Sequence, residues 1–213
     1  MRVLVLGVSG MLGNAVFRLF AQSPGFDVHG SVRSTHAQHL LPPALADRLI
    51  GGVDVENTDS LTGLFAKMHP DVVINCIGLV KQLAIANDPL AVIPINALLP
   101  HRLARLCELT GARLVHISTD CVFSGHKGMY TESDFSDAKD LYGRSKYLGE
   151  VNYPHAITLR TSIIGHELSG ANSLVGWFLA QEVGVKGFAR AIFSGLPTVE
   201  PVSYTHLRAH ETS

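Results

Sequence analysis

The sequence is short of charge, aromatic rings and cysteine. Only 16% of its 213 residues are charged and 7% aromatic, with a single tryptophan. Its 17 basic and 18 acidic side chains leave a net charge of -1, which gives no electrostatic reason to expect nucleic acid as a partner. No apolar stretch approaches the about 20 residues that cross a bilayer before Gly, Pro or a charge interrupts it, so no membrane partner is expected. Cys76, Cys107 and Cys121 are odd in number and lack metal-ligand spacing. Reduced thiols in a cytoplasmic protein, and no metal site, are the expectation. The opening Met1–Leu6 runs straight into glycines, unlike a secretory signal. What is present is 46% hydrophobic content, enough for a packed globular fold and too much for a disordered chain. The length suggests one domain and part of a second.

The last residues change character. No apolar period of 2 or 3.6 runs through Pro201–Ser213, and the string from Val202 to Thr212 resembles an in-frame translation of a transposase-type sequencing adaptor. On that reading His206 and His210, spaced like two ligands on one helix face, carry no meaning, and the native chain is expected to be cut short near Glu200.

Upstream, short apolar runs alternate with helical periods. Val3–Leu6 reads as a strand buried on both faces, Met11–Ala21 as a helix, Phe26–Val32 as a second strand and Leu49–Val53 as a third. Thr58–Met68 reads as a helix, with Thr58 and Asp59 near its start as cap candidates. Asp71–Cys76, rich in β-branched residues, is a strand; Ala84–Leu109 is mostly helical despite Pro89, Pro94 and Pro100. Arg113–Ile117 is a strand, Leu141–Val151 a helix and Ile157–Arg160 a sixth strand. The alternation implies a doubly wound parallel α/β sheet of Rossmann type. Residues 1–160 are expected to form it, 161–200 to begin a small substrate lobe, and 201–213 to be foreign.

Gly7-x-x-Gly10-x-x-Gly13 lies between the first strand and the first helix. Glycines there allow a tight turn and close backbone approach, and the helix N-terminus offers free N–H groups to a phosphate. With 20 glycines in the chain the triplet alone is weak, and a ligand-free turn would use the same residues. Its strand-to-helix context favours a dinucleotide. At the end of the second strand, where an acidic residue would take the 2′-hydroxyl of NAD, stands Arg33. A guanidinium suits a 2′-phosphate, so NADP(H) is favoured and NAD(H) remains possible.

Tyr142 and Lys146 sit at i, i+4 on one helix face. A tyrosine ordinarily titrates near 10, and an adjacent ammonium would lower that value and fit it to exchange a proton with a substrate oxygen during hydride transfer.

Taken in order, the glycine turn, Asn75-Cys76-Ile77-Gly78, Ser118-Thr119-Asp120-Cys121-Val122-Phe123-Ser124-Gly125 and Tyr142-x-x-x-Lys146 resemble an extended short-chain dehydrogenase/reductase. The chain is most similar to the dTDP-4-dehydrorhamnose reductase group of sugar-nucleotide reductases, from Met1 to about Glu200. The resemblance implies that Gly10, Met11, Leu12 and Gly13, with Gly7 at the turn, meet the cofactor pyrophosphate. It sets Asp54 and Val55 near the adenine, and Cys76, Ile77 and Gly78 over the ribose and nicotinamide. It gives Thr119 the substrate carbonyl, Tyr142 the proton and Lys146 the nicotinamide ribose. Asn96 could match a supporting helix asparagine.

The implied activity is NADPH-dependent reduction of a nucleotide-activated 4-keto sugar, in a possible homodimer. A sugar-nucleotide epimerase or dehydratase that retains NAD is one alternative. A cofactor-binding regulatory subunit, like that of methionine adenosyltransferase, is another.

Other residues invite weaker readings. Cys121 stands where the group often has an aromatic ring, and is expected to be a small buried residue. His166 and Glu167 suggest a loop near the substrate mouth. Trp177 and Phe178, on a helix after Asn172, either line the sugar-nucleotide cleft or pack in a core. Arg160 and Thr161 end a strand at an edge where substrate residues project.

Overall fold

A computed structural model describes residues 1–35, 39, 41–170, 173–189, 193 and 195–198. The expectation for residues 201–213, with His206 and His210, lies outside them.

Six parallel strands form the main sheet in the order β3-β2-β1-β4-β5-β6. They are β1 (Arg2–Leu6), β2 (Asp27–Ser31), β3 (Leu49–Ile50), β4 (Val72–Asn75), β5 (Arg113–Ser118) and β6 (Ala156–Arg160). The helices are α1 (Met11–Gln22), α2 (Thr58–Met68), α3 (Pro89–Val92), α4 (Leu99–Thr110), α5 (Leu141–Leu148) and α6 (Leu174–Leu179). Beyond the sheet, β7 (Ile163–Ile164) pairs in parallel with β8 (Leu196–Pro197).

The uninterrupted apolar runs follow from two covered faces. Successive side chains of a strand point to opposite sides, so each must be apolar when helices pack on both. Val3, Val5, Ile74 and Val115 meet Val16, Phe17 and Phe20 of α1 in one core. Leu4, Leu6, Val73 and Leu114 meet Leu61 and Phe65 of α2 and Leu99 and Leu103 of α4 in the other.

Where boundaries differ from the sequence reading, a local cause is visible. The third strand stops at Ile50 rather than Val53, because Gly52 turns at φ +75°. Asn57 caps α2, its side-chain oxygen accepting from the N–H groups of Asp59 and Ser60, so neither Thr58 nor Asp59 is the cap. The Ala84–Leu109 segment is a 3-10 turn (Ala84–Asn87), α3, a π-helical turn (Ile93–Leu98) and α4. Asp88 caps α3 with Pro89 in its first turn; Pro94, lacking an N–H, then breaks the i→i−4 ladder, and the chain continues through the wider turn. The fifth helix ends at Leu148, short of Val151, whose N–H is taken by Thr158 Oγ1 of β6.

Candidate active site

The order of successive strands reverses between β1 and β4, the place where open α/β sheets accept ligands at the carboxyl ends of their strands. The two segments leaving those strands touch. Gly7 turns at φ +84°, and a Cβ there would lie 2.8 Å from Ile77 Cγ1. A Cβ on Gly13 would lie 2.2 Å from the Gly7 carbonyl oxygen, so α1 can approach the turn only without a side chain. Gly10 is different. Its Cβ would make only ordinary contact, 3.4 Å from Gly7 O, so the protein's own packing does not demand glycine here. Gly10 is exposed and begins α1 with no side-chain cap. Close approach of an anion to the free first-turn N–H groups is the physical use of such a position, and the cradle fits a dinucleotide pyrophosphate. Leu12 is in the core, so its backbone alone is available, while Met11 lies at the rim.

Arg33 is exposed at the end of β2, and no ion pair engages it among the described residues. Asp54, also exposed, follows β3; one carboxylate oxygen accepts from Glu56 N at 3.0 Å. Val55 packs partly into the second core.

After β4, Asn75 Oδ1 accepts from Ile77 N at 3.1 Å and shapes the Cys76–Gly78 turn. Asn96, 1% exposed within the π-helical turn, holds the next residue at both ends. Its Oδ1 accepts from Leu79 N at 2.8 Å and its Nδ2 donates to Leu79 O at 3.0 Å. The asparagine suggested by resemblance therefore supports the loop over the crevice.

Thr119 follows β5, and its hydroxyl oxygen accepts from Cys121 N at 3.1 Å. Asp140 caps α5, accepting from Gly143 N at 2.8 Å, and its other oxygen pairs with Lys81 Nζ at 2.9 Å. Sequence reasoning missed this clamp, which ties the loop after β4 to the helix carrying Tyr142; Asp140 before a helical period was the available signal. The Tyr142 phenol is pushed up to about 12 by burial, against an opposing hydrogen bond from the Thr119 side chain. Lys146, 4% exposed, donates from Nζ to Ile117 O at 2.8 Å. A Cβ on Gly78 would lie 3.7 Å from that Nζ. Contacts thus run from Gly7 through Ile77 and Gly78 to Lys146.

Three expectations need correction. The Tyr142 phenol is raised rather than lowered, because burial outweighs its neighbours, while the Lys146 ammonium is turned to the β5 carbonyl and the Gly78 turn. The phenol accordingly stays protonated far above neutrality, which suits a proton donor better than a phenolate. Cys121 is exposed beside Thr119 rather than buried. Trp177 and Phe178 are 44% and 59% exposed, so neither is core. Glu167 accepts from Ser173 N at 2.8 Å at the start of α6, and His166 is exposed. Among the described residues no group of three His, Cys, Asp or Glu side chains is placed to hold a metal.

These groups make stability fall in strong alkali. Burial raises Cys76 and Cys107 from 9.0 to about 12, as it raises Tyr142 from 10.0. Above pH 9 the unfolded chain releases these protons and the folded chain keeps them, so each group opposes folding as pH rises. Lys146, lowered from 10.5 to about 8, acts in the opposite sense between those values. Denaturant titrations between pH 9 and 11.5 should show a falling unfolding free energy, most steeply above 10.5; a rise there would contradict the burial of these groups.

A 3-2-1-4-5-6 parallel sheet with a glycine turn at the switch point and a Thr, Tyr and Lys set beyond it defines an extended short-chain dehydrogenase/reductase fold. The pattern of the RmlD substrate binding domain matches residues 1–184. The chain belongs to that family. It is 31% identical over 183 residues to the probable low-salt glycan biosynthesis reductase Agl14 of Haloferax volcanii, covering 83% of this chain and 58% of that one. It is 30% identical over 170 residues to dTDP-4-dehydrorhamnose reductase of Mycobacterium tuberculosis, covering 76% and 49%. Methionine adenosyltransferase 2 subunit beta of Danio rerio is also 30% identical, over 172 residues, covering 78% and 49%. The chain thus spans about half the length of the curated relatives it matches. Among solved structures, a hypothetical dTDP-4-dehydrorhamnose reductase from Sulfolobus tokodaii superposes with a TM-score of 0.81 at 25% identity, covering 100% of this chain and 74% of the other. The Bacillus anthracis dTDP-4-dehydrorhamnose reductase, solved in complex with NADP, gives 0.61 at 26% identity, covering 76% and 54%.

Proposed function

We propose that this chain carries the cofactor-binding and catalytic part of an NADPH-dependent reductase acting on a nucleotide-activated 4-keto sugar. The observation that carries the reading is the close approach of the Gly7 turn to Ile77 and of Lys146 Nζ to Gly78, with the helix of Tyr142 packed so tightly on the turn after Thr119 that a Cβ on Gly143 would lie 2.3 Å from the Cys121 carbonyl oxygen. NADPH, when bound, supplies the hydride. Gly10 and the first turn of α1 take the pyrophosphate, and Arg33 takes the 2′-phosphate. Lys146 holds the nicotinamide ribose. Thr119 donates a hydrogen bond to the substrate carbonyl, and Tyr142 gives its proton to that oxygen as the adjacent carbon is reduced. Residues 1–160 form the cofactor domain in this reading, and 161–200 begin the substrate lobe.

The test is a pair of binding curves and a turnover measurement. Arg33→Ala should weaken NADPH binding about tenfold to a hundredfold and leave NADH within about threefold, the range expected for charge-assisted hydrogen bonds to one phosphate. Equal effects on both nucleotides would remove Arg33 as the phosphate reader. Net NADPH oxidation with a 4-keto nucleotide sugar supports the reductase. Binding without net oxidation of any nucleotide sugar would favour a regulatory subunit, consistent with the likeness to methionine adenosyltransferase subunits.

A further inference from the structure

Four residues beyond Lys146, just past the end of α5, Glu150 has a side chain only 12% exposed. Its Oε1 accepts from Ser118 Oγ at 2.9 Å and from Arg160 Nε at 2.8 Å, and its Oε2 accepts from Arg160 Nη2 at 2.7 Å. Arg160 is fixed in turn. Its Nη1 donates to Glu132 O at 3.2 Å, and its guanidinium lies 5.1 Å from the centre of the Phe123 ring. One carboxylate therefore joins the ends of α5, β5 and β6 with the loop between β5 and α5. A bidentate pair could be no more than a fastening. The buried ammonium next to it suggests a second role.

Taking a lysine out of water without a counter-charge is costly, and the usual outcome is loss of the proton. The Lys146 ammonium donates to the neutral carbonyl of Ile117. The groups facing it can be named. From β5 comes His116, 0% exposed and held neutral by burial and by the lysine itself. From the end of β4 comes the Cys76 thiol, which keeps its proton up to about 12. Asp120 is engaged by Thr119 and Ser162, Asp88 by the N–H of Leu90, and Asp140 by Lys81 at the far end of α5. Glu150 is tied to Ser118, the residue directly after the Ile117 carbonyl that holds Lys146 Nζ, so its carboxylate shares that end of β5 with the ammonium.

We propose that Glu150 is a positioning residue for the cofactor site: its carboxylate is the counter-charge that keeps Lys146 an ammonium beside the Gly78 turn, and Arg160 limits how much of that charge Lys146 feels. In its purpose, holding the cofactor ribose, the inference rests on the reductase reading. Its physical content does not. Consistent with the geometry, burial lowers Lys146 to about 8 while Glu150 opposes that fall. The lysine is thus poised just above neutrality, where a neighbouring charge alters its ionised fraction most.

The experiment follows the Lys146 ¹³Cε resonance, assigned through Lys146→Arg, against pH in the protein without nucleotide. Wild type should titrate near 8. Glu150→Gln keeps hydrogen-bond acceptance from Ser118 and Arg160 but removes the charge, and should lower the midpoint by about one pH unit. Arg160→Gln leaves Glu150 a donor and removes the competing cation, and should raise the midpoint by about half a unit. Opposite shifts from the two halves of one ion pair are the signature. Loosening of the fold would move both the same way. Superimposable titrations, or shifts of one sign, overturn the inference. Should Glu150→Gln fail to fold, the Arg160→Gln midpoint decides alone. NADPH binding measured on the same samples separates the two readings: no binding with opposite lysine shifts removes the reductase reading and leaves the ion-pair assignment standing.

Discussion

Tyr142→Phe is expected to slow NADPH oxidation with a 4-keto nucleotide sugar by about 10²–10⁴-fold, the usual contribution of a positioned acid, while NADPH affinity stays within about twofold. The substitution removes one oxygen. The ring remains on α5, whose start is held independently by the Asp140 cap. The same position in wild type holds its proton to about 12, so at neutral pH every molecule carries the donor. Thr119 offers a less clean test, since its hydroxyl oxygen also accepts from Cys121 N and its removal would disturb the turn that follows β5. Initial rates and nucleotide titrations on the same preparation decide the matter. A Tyr142→Phe protein with full reductase activity would remove the tyrosine from the chemistry.

The second large effect belongs to Gly13. An alanine there places its methyl carbon 2.2 Å from the Gly7 oxygen, 2.7 Å from the Gly7 carbonyl carbon and 3.2 Å from Val8 Cα. All three are backbone atoms of the turn, so no rotamer change relieves the overlap. Either α1 withdraws from the sheet or the turn opens. Gly13→Ala should therefore cost about 1–3 kcal/mol of stability, as overpacking does, and reduce NADPH affinity by at least about tenfold through distortion of the cradle. Gly10→Ala is the matched comparison. At φ −85° and with 3.4 Å to the nearest atom, alanine fits the protein and intrudes only on the anion. Denaturant midpoints should fall for Gly13→Ala alone, while NADPH titrations should weaken for both. A Gly10→Ala protein with unchanged nucleotide affinity would place the pyrophosphate elsewhere.

This division between glycines marks how much of the site was legible. The triplet and its strand-to-helix setting were visible in the sequence, because a tight turn after a buried run depends on residues adjacent in the chain. Which glycine serves packing and which leaves room for a ligand was not. That depends on how closely α1 meets the turn, a distance no spacing encodes. The Tyr-x-x-x-Lys spacing likewise implied a shared face but not a shared direction. Lys146 turns to a carbonyl 29 residues away, and burial rather than the lysine dominates the Tyr142 phenol. Asn96 was suggested by resemblance, yet its grip on Leu79, 17 residues earlier, needed the fold. Glu150 and Arg160 carried no signal as a pair, being an ordinary acid and base ten residues apart.

The sequence by itself determined the parallel α/β architecture, the position of the glycine turn and the identity of the candidate acid. Apolar periodicity, glycine placement and helical spacing are properties of neighbouring residues, and burial on both sheet faces leaves them little freedom. Only the tertiary structure decided which glycine packs against the turn, where the Lys146 ammonium points, and which cation pairs with Glu150. Those outcomes depend on desolvation and on charges brought together from separate strand ends, and both arise only when the chain has packed.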